Sequence, residues 1–368
     1  MKLTIDRSAL LAAVGRVRGC CDTDSTIPII SSVLLTADDQ GLTIAATNME
    51  LSAVEMAPAN IAFGGVTTVN GELLFNLAKR LPPGATLSLE TGTGDALAVK
   101  AARSNSSLAT LPPDDFPELG AGSLPHSFVI SAPVLLGLLD RPRHAVSTEA
   151  TRYYLNGICL HRHDALLRAV ATDGHRLVRT EAPLPPGAEG LPQIIVPLRA
   201  VDELRKALAS ATGAVSVYVS DTRIRVTVGA LTLTSKLIDG TFPEYERVIP
   251  RGNDISLRLP RASLLDAVGR VALIGDVRGI PLILQAGGNA VRLSASQPER
   301  GEISEEIDDD VSIGGAVRVA FNAKYLSDAL GTLNGPEVEF SFRDNQAPGI
   351  LRDPADDATL IVVMPVRA

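Results

Sequence analysis

One eight-residue segment occurs twice in this chain at nearly complete identity and a third time in a weaker form. Residues 10–17 read LLAAVGRV and residues 264–271 read LLDAVGRV, with seven identities in eight positions, and residues 134–141 read VLLGLLDR. The three copies lie about one third of the 368-residue chain apart. Segments that recur at a fixed interval indicate repeated structural units, so this feature constrains the fold before any other.

Three further sets of segments keep the same spacing. Helix-like segments begin at Glu72, Ala200 and Ala323, and Lys79 and Lys206 within the first two are 127 residues apart. The segments ATNMEL, ATDGHRL and ASQPER follow one another at intervals of 125 and 124 residues, and the tripeptide FPE recurs after 126 residues. Four independent sets with one period predict a threefold duplication.

Connectors rich in Pro, Gly and Asp separate the three units. Residues 111–125 read LPPDDFPELGAGSLP and residues 248–254 read VIPRGND, and both are typical of loops. They predict domains at 1–122, 123–252 and 253–368. Each domain contains two helical segments and several short alternating runs of Val, Ile, Leu and Thr. We therefore expect three similar α+β domains with mostly antiparallel sheets.

The composition limits how such a chain meets its partners. It has 34 Lys and Arg against 42 Asp and Glu, a formal net charge of −8, which argues against binding DNA or a membrane mainly through charge. Three cysteines, two of them adjacent, cannot form a disulfide framework. No apolar run approaches the roughly 18 residues of a membrane span. We expect a cytoplasmic protein with no membrane contact, in which any contact with DNA is local or topological.

Basic residues recur on the outer faces of the predicted helices. Arg16, Lys79, Lys206 and Arg270 each lie opposite an apolar stripe. In the helix that begins at Glu72 the predicted stripe consists of Leu73, Leu74, Leu77 and Leu81. A solvated face is the ordinary explanation for a cation on one helix, but recurrence at equivalent positions favours a shared surface.

Two histidine-containing segments are candidates for a catalytic or a metal site. A histidine beside a carboxylate, as in His175 and Asp173, can act as a general base, but the repeat copies ATNMEL and ASQPER contain no histidine. A turn formed by Asp173 and Gly174 is the preferred interpretation, with a hydrolase as a minor alternative. His161 and His163 lack further ligands nearby in sequence. We predict no catalytic residue, no metal and no cofactor.

The C-terminal segment, residues 359–368, is unusually apolar for a chain end. Residues 360–362 are predicted to form a final strand, which a following proline ends. Val363, Met364 and Val366 are expected to form an exposed apolar patch, a feature typical of surfaces that bind several partners.

Several motifs together resemble one known family. They are TRYYLNGI (151–158), ATDGHRL (171–177), SKLIDGTFPEYERVIP (235–250), FNAKYL (321–326) and VVMPVR (362–367). In this order and spacing they resemble the bacterial DNA polymerase III beta subunit, the replicative sliding clamp, over the whole chain. The resemblance implies the DNA clamp fold: three similar domains per chain, two chains head to tail in a ring, sheets outside and helices lining a central channel.

The resemblance implies a non-enzymatic homodimer that encircles double-stranded DNA without sequence specificity. An acidic protein can do this because encirclement replaces affinity for phosphates. The residues placed toward DNA are Arg16, Lys79, Arg141, Tyr153, Tyr154, Arg199, Lys206, Arg270 and Lys324. The residues placed at the dimer interface are Ser106, Leu108, Leu273 and Ile274.

The resemblance also implies a cleft that receives short peptides from the replicative polymerase alpha subunit, the clamp loader, other polymerases and repair proteins. The matching residues are Leu155, Thr172, Gly174, His175, Arg176, Leu177, Pro243, Arg247, Val248, Val362, Val363, Met364, Pro365, Val366 and Arg367. Aliphatic walls and Met364 suit an apolar anchor, and Arg176 and Arg247 are expected to hold polar ends of the peptide.

Five positions depart from the family pattern. Asp22, Asp24, Glu72 and Leu73 stand in regions where the family often has basic residues, and Ser106 stands where an aromatic residue is common at the subunit interface. Ser106, Asp24 and Glu72 motivate an alternative function: a diverged clamp-like protein that binds the same peptides as an adaptor or competitor without closing on DNA.

Overall fold

The structure is a computed structural model that describes residues 1–92, 94–101, 103–117, 120, 122–275, 280–307 and 310–367. Glu118 of the repeated FPE tripeptide and Ala368 of the C-terminal segment lie outside the described residues.

The order of helices and strands is the same in the first and last thirds of the chain, and the central third differs by having four strands rather than five between its two helices. The first third contains β1 (Lys2–Asp6), α1 (Arg7–Val17), β2 (Ser32–Asp38), β3 (Gly41–Thr47), β4 (Leu51–Ala57), β5 (Asn60–Phe63), β6 (Gly65–Asn70), α2 (Gly71–Arg80), β7 (Thr86–Thr91), β8 (Ala96–Ala101) and β9 (Ser104–Ala109). The central third contains β10 (His126–Ser131), α3 (Ala132–Arg143), β11 (Gly157–His163), β12 (Leu166–Thr172), β13 (Arg176–Pro183), β14 (Ile194–Pro197), α4 (Leu198–Leu208), β15 (Ala214–Val219), β16 (Arg223–Val228) and β17 (Leu231–Lys236).

The last third contains β18 (Ile255–Pro260), α5 (Arg261–Val271), β19 (Pro281–Gly287), β20 (Ala290–Gln297), β21 (Gly301–Ile307), β22 (Ser312–Ile313), β23 (Val317–Asn322), α6 (Ala323–Thr332), β24 (Glu337–Phe342), β25 (Gly349–Asp353) and β26 (Asp356–Val363). Each third thus has two α-helices at the positions that the sequence repeat predicts. The α+β prediction is confirmed.

The chain forms two compact units. The first comprises Met1–Leu136 and Pro185–Ile238, and the second comprises Gly137–Leu184 and Asp239–Ala368. The first unit contains a sheet in the order β5-β1-β7-β8-β9 and a sheet in the order β10-β15-β16-β17-β4-β3-β2-β6. In the second unit the orders are β11-β12-β13-β26-β25-β24-β18-β22 and β21-β20-β19-β23.

Strands from different thirds pair in the same way within each unit. In the first unit β17 pairs antiparallel with β4, so that Ser235 lies opposite Leu51. In the second unit β26 pairs antiparallel with β13, so that Val363 lies opposite Arg176. In each unit, therefore, one sheet joins strands that come from two different repeats of the chain.

The helix repeat extends to the individual buried side chains. In α1 the buried residues are Leu10, Ala13, Val14 and Val17. In α5 they are Leu264, Ala267, Val268 and Val271, which are the same four positions of the repeat. Fully burying an aliphatic side chain contributes roughly 1.5–3 kcal/mol, so this stripe fixes how each helix packs on its sheet.

Two expectations about apolar residues are wrong. Leu73 is 49% exposed, because α2 buries the face defined by Leu74 and Ala78, which are four residues apart. Val363 is fully buried rather than exposed, because β26 continues to this residue and pairs there with both neighbouring strands. Met364, the next residue, is 40% exposed.

Cys20, Cys21 and Cys159 are buried, and they form no disulfide with one another. Burial raises the pKa of Cys21 to about 12, and burial also raises the pKa of Cys20. Both thiols therefore stay protonated and pack as small apolar side chains.

Candidate functional site

One pocket of the second unit collects most of the residues predicted for the peptide cleft. Its volume is about 260 Å³. It is lined by Leu155, Thr172, Gly174, His175, Arg176, Leu177, Pro243, Glu244, Tyr245, Val248, Val362 and Met364. Ten of these twelve belong to the set of fifteen that the family resemblance implies.

The floor of the pocket is apolar and its rim carries accessible apolar side chains. Leu155, Leu177 and Val362 are between 2% and 4% exposed, whereas Val248 is 55% exposed and Met364 is 40% exposed. An apolar group that entered the pocket would therefore displace water from both floor and rim, which favours binding.

The remaining five predicted cleft residues do not line the pocket. Val363 is buried inside the sheet. Arg247 has a side chain that is 81% exposed and pairs with Glu244. The other three, which follow Met364 in the chain, are Pro365, Val366 and Arg367.

A tight turn between β12 and β13 forms one wall. Asp173 Oδ1 accepts hydrogen bonds from the backbone N–H groups of His175 (2.9 Å) and Arg176 (3.0 Å), and the hydroxyl of Thr172 donates to the carbonyl of Arg176 (2.7 Å). Gly174 has a φ of +88°, a conformation that favours glycine. The predicted Asp-Gly turn is confirmed.

The same geometry gives the minor hydrolase alternative no support. The Asp173 carboxylate is engaged by backbone amides and by Arg176, with Nε to Oδ2 at 3.1 Å. The His175 ring stacks on Tyr325, with ring centroids 6.4 Å apart. Each side chain is thus engaged with another part of the pocket wall.

Arg176 lines the pocket, as predicted, and is also tied into the pocket wall. It is 8% exposed, pairs with Asp173 and with Asp328 (2.6 Å), and lies 4.3 Å from the centroid of the Tyr325 ring. Burial alone would raise the pKa of Asp328, but hydrogen bonds from Arg176 and Lys324 lower it. This ion pair holds the turn of the pocket wall against α6.

The opposite wall is a short 3₁₀ segment, Tyr245–Val248. Its Tyr245 and the preceding Glu244 line the pocket, and the sequence prediction omitted both. The signal was present, because both residues lie inside the FPEYERV motif between two residues that were predicted.

Most cations predicted to face DNA in the first unit are already paired. Arg16 makes a two-pronged ion pair with Glu55, with Nε to Oε2 at 2.7 Å. Lys206 lies 2.6 Å from Glu203, and Arg199 donates to the carbonyl of Cys21 at 2.7 Å. Lys79 makes no ion pair with the part of the chain that the structure describes.

The carboxylate that holds Arg16 is unusual, since the side chain of Glu55 is only 1% exposed. Its burial raises the pKa of Glu55, and the hydrogen bond and charge of Arg16 counteract this. Arg16 itself remains 52% exposed, so it neutralises a buried charge with part of its surface and offers the rest to solvent.

The second unit shows the same pairing. Arg270 pairs with Glu305 (Nε to Oε2, 2.8 Å), and Lys324 lies 2.9 Å from Asp328. Arg141 is 26% exposed, lies 3.6 Å from Asp356 and donates to the hydroxyl of Thr359, so it is the least available of the predicted cations here. Tyr153 and Tyr154 pack edge to face, and Tyr153 is 54% exposed.

The four predicted interface residues differ in accessibility. Ser106 and Leu108 lie on β9, the edge strand of its sheet, where an unpaired backbone can accept another strand. Leu273 is 75% exposed. Leu108 and Ile274 are buried within the chain, at 7% and 4% exposure, so direct contact of these two with a partner subunit is not supported.

One of the departures from the family pattern is locally compensated. Glu72 pairs with Arg18, and the Arg18 guanidinium lies 3.8 Å from the centroid of the Phe75 ring. The acidic side chain is therefore neutralised by its neighbour rather than left as a free negative charge.

His161 and His163 fall on β11. His163 lies 3.7 Å from Asp164, whereas the His161 ring contacts Tyr245. Within the described ranges, no group of three or more His, Cys, Asp and Glu side chains is arranged to hold a metal ion. No helix in those ranges is both long enough and apolar enough to cross a membrane.

Comparison with known protein families identifies three consecutive domains of one type. Residues 1–120 match the N-terminal domain of the DNA polymerase III beta subunit, residues 130–244 match its central domain, and residues 246–367 match its C-terminal domain. Three clamp domains in one α+β chain define the class of sliding clamps.

Individual relatives agree over the full length. The beta sliding clamp of Caulobacter vibrioides (strain NA1000 / CB15N) is 39% identical and that of Escherichia coli (strain K12) is 32% identical, each with 100% of both chains covered. The solved sliding clamp of Bartonella birtlesii bound to griselimycin superposes with a TM-score of 0.96 at 37% identity, again covering 100% of both chains. The chain belongs to the DNA polymerase III beta subunit family, and its function is that of a DNA sliding clamp.

Proposed function

We propose that two copies of this chain close head to tail into a ring around double-stranded DNA and tether the replicative polymerase, so that synthesis becomes processive. The proposal extends to domain boundaries at 1–122, 123–252 and 253–368, to a non-catalytic role and to a cytoplasmic location. The observation that carries it is the presence of all three clamp domains in a chain whose relatives match it from end to end.

The pocket is proposed to bind short peptides of the polymerase alpha subunit, the clamp loader, other polymerases and repair proteins. Its apolar floor, formed by Leu155, Leu177 and Val362, suits one or two aliphatic or aromatic side chains. Met364 at the rim is a flexible, polarisable side chain that can adapt to different peptides. The relative from Bartonella birtlesii binds griselimycin, in agreement with a family that takes up small ligands.

Contact with DNA is proposed to be weak and topological. Arg16, Lys206, Arg270 and Lys324 keep between 52% and 69% of their side chains exposed although each is paired with a carboxylate. Paired cations release fewer counterions from DNA than free cations do, so they add little salt-dependent affinity. Such a surface suits a ring that slides.

The alternative function, a clamp-like adaptor or competitor that does not close on DNA, is not favoured. The chain matches beta sliding clamps over their whole length rather than over the peptide cleft alone. Of the positions that motivated the alternative, Glu72 is neutralised by Arg18.

Light scattering over a dilution series tests ring formation directly. A mass about twice the 38.6 kDa of one chain is expected for the ring, and retention on nicked circular DNA that is lost when the DNA is linearised is expected for a topological clamp. A mass of one chain at all concentrations, together with no retention on circular DNA, would refute the proposal and favour the alternative function of an adaptor or competitor.

A further inference from the structure

Residues 161–164 read HRHD, and none of them lines the peptide pocket, yet the structure gives this motif partners. His161 on β11 lies directly opposite Arg168 on β12, and Arg168 lies directly opposite Glu181 on β13. The three side chains therefore form one row across three strands, on the same face of the sheet.

Tyr245 of the pocket wall lies over this row. Its hydroxyl oxygen is 2.9 Å from His161 Nε2 and 3.5 Å from Arg168 Nη1. Tyr245 is 6% exposed, and its ring packs edge to face on Phe242, with centroids 6.4 Å apart. The side chain that lines the pocket is thus fixed at its polar end by residues outside the pocket.

Arg168 joins the wall to the sheet a second time. It is 7% exposed, its Nε lies 2.6 Å from Glu181 Oε2, and it also pairs with Glu246, the residue after Tyr245. A buried guanidinium between two carboxylates is held in one orientation because each lost contact would leave a desolvated charge.

The hydrogen-bond directions follow from the neighbours of His161. Its Nδ1 is 2.9 Å from the carbonyl oxygen of Arg162, which can only accept, so Nδ1 carries the proton. In the neutral ring Nε2 is then an acceptor, and burial lowers the pKa of His161, which favours that neutral form. The Tyr245 hydroxyl donates a hydrogen bond to Nε2 of His161 and accepts one from Arg168, so it has a partner both as a donor and as an acceptor.

We propose that His161 and Arg168 are positioning residues of the peptide pocket, acting through Tyr245. This inference rests on the proposed function, because it assigns them to the affinity of the same site. Neither residue lines the pocket. They hold the 243–248 wall in its binding conformation before the peptide arrives. Peptide binding then loses less conformational entropy, because this segment is already ordered.

The test compares peptide affinity with fold stability. Tyr245→Phe keeps the ring that lines the pocket and removes only the hydroxyl, and Tyr218→Phe, at an exposed tyrosine of the first unit, is the matched control. The probe is a synthetic peptide carrying the clamp-binding segment of the polymerase alpha subunit, measured by calorimetry on the full-length protein. Tyr245→Phe is expected to weaken binding about tenfold at a temperature where both proteins are fully folded, and the control is expected to bind as the wild type.

Substitution of His161 separates positioning from general stabilisation. His161→Gln retains a hydrogen-bond acceptor and is expected to bind nearly as the wild type, whereas His161→Leu is expected to weaken binding by at most the amount seen in Tyr245→Phe, which also loses the contact with Arg168. Combining His161→Leu with Tyr245→Phe should weaken binding no further than Tyr245→Phe alone, since that substitution already removes the hydrogen bond to His161.

The outcomes distinguish this inference from the function beneath it. Wild-type affinity in Tyr245→Phe and in His161→Leu overturns the positioning role and leaves the peptide site intact. If these variants have a lower melting temperature but wild-type affinity, His161 and Arg168 contribute to stability alone, and the positioning role is again overturned. A wild-type protein that does not bind the peptide refutes the proposed function, and the inference with it.

Discussion

Acidification is expected to destabilise the second unit through one buried histidine. His144 follows α3, and both of its ring nitrogens are buried without a hydrogen-bond partner in the described part of the chain. Burial, followed by the positive charge of Arg176, lowers the pKa of His144 from 6.5 to about 4, with Lys324 acting in the same direction and Asp328 and Asp173 opposing it. The folded protein therefore resists protonation of this ring.

The sign and size of the effect follow from the two pKa values. The unfolded chain takes up a proton near the ordinary value of 6.5 and the folded chain only near 4, so the unfolded state binds more protons between these values. The contribution of His144 to the free energy of unfolding is fully present above about pH 6.5. It is lost as the pH falls toward 4, and the total loss is about 3 kcal/mol. Between about pH 7 and about pH 5 the expected loss is about 2 kcal/mol.

Urea unfolding followed by circular dichroism at about pH 7 and about pH 5 measures this loss. His144→Leu has a similar volume and does not titrate, so it should lose about 2 kcal/mol less than the wild type over the same interval. His144→Gln guards against a packing effect of the leucine, because it also does not titrate but stays polar. Equal pH dependence in the wild type and both variants would refute the reasoning.

Three other predictions concern the pocket and the channel. The double substitution Leu177→Ala with Met364→Ala should weaken peptide binding by more than about 2 kcal/mol in calorimetry, because it removes floor and rim together; unchanged affinity would remove the pocket assignment. Gly174→Ala should destabilise the turn by about 1–2 kcal/mol, since φ is +88° and the added Cβ would lie 2.7 Å from an arginine nitrogen; a melting temperature equal to that of the wild type would contradict this. Lys79→Gln should shorten retention on nicked circular DNA and reduce its salt dependence more than Lys206→Gln, whose charge is already paired; the reverse order would show that pairing does not govern contact with DNA.

The sequence alone determined the architecture to a useful depth. The recurrence of LLAAVGRV and LLDAVGRV predicted equivalent helices, and the same four positions of each are buried. The Asp173-Gly174 turn was predicted from its residue types, because carboxylate caps and positive φ angles are local properties. Ten residues of the pocket were also predicted, but from the family motifs rather than from periodicity.

Local patterns misplaced residues where neighbouring strands and helices decided the outcome. Val363 is buried because β13 and β25 pair with it on both sides, and Leu73 is exposed because α2 turns the face with Leu74 and Ala78 toward α1, β2 and β6. Helical periodicity defines the position of an apolar stripe only to within about one residue. Packing against neighbouring elements therefore determines which residues of the stripe are buried.

The partners of the charged side chains and of the pocket walls depend on contacts between distant parts of the chain. Glu55, the partner of Arg16, comes from a strand 39 residues away, and Asp328 meets Arg176 across 152 residues. Nothing in the spacing of the sequence marks such pairs, because an ion pair needs only proximity in space and leaves no period. The repeat therefore defines the elements of this clamp, whereas long-range contacts determine which of its cations stay free and how firmly its peptide pocket is built.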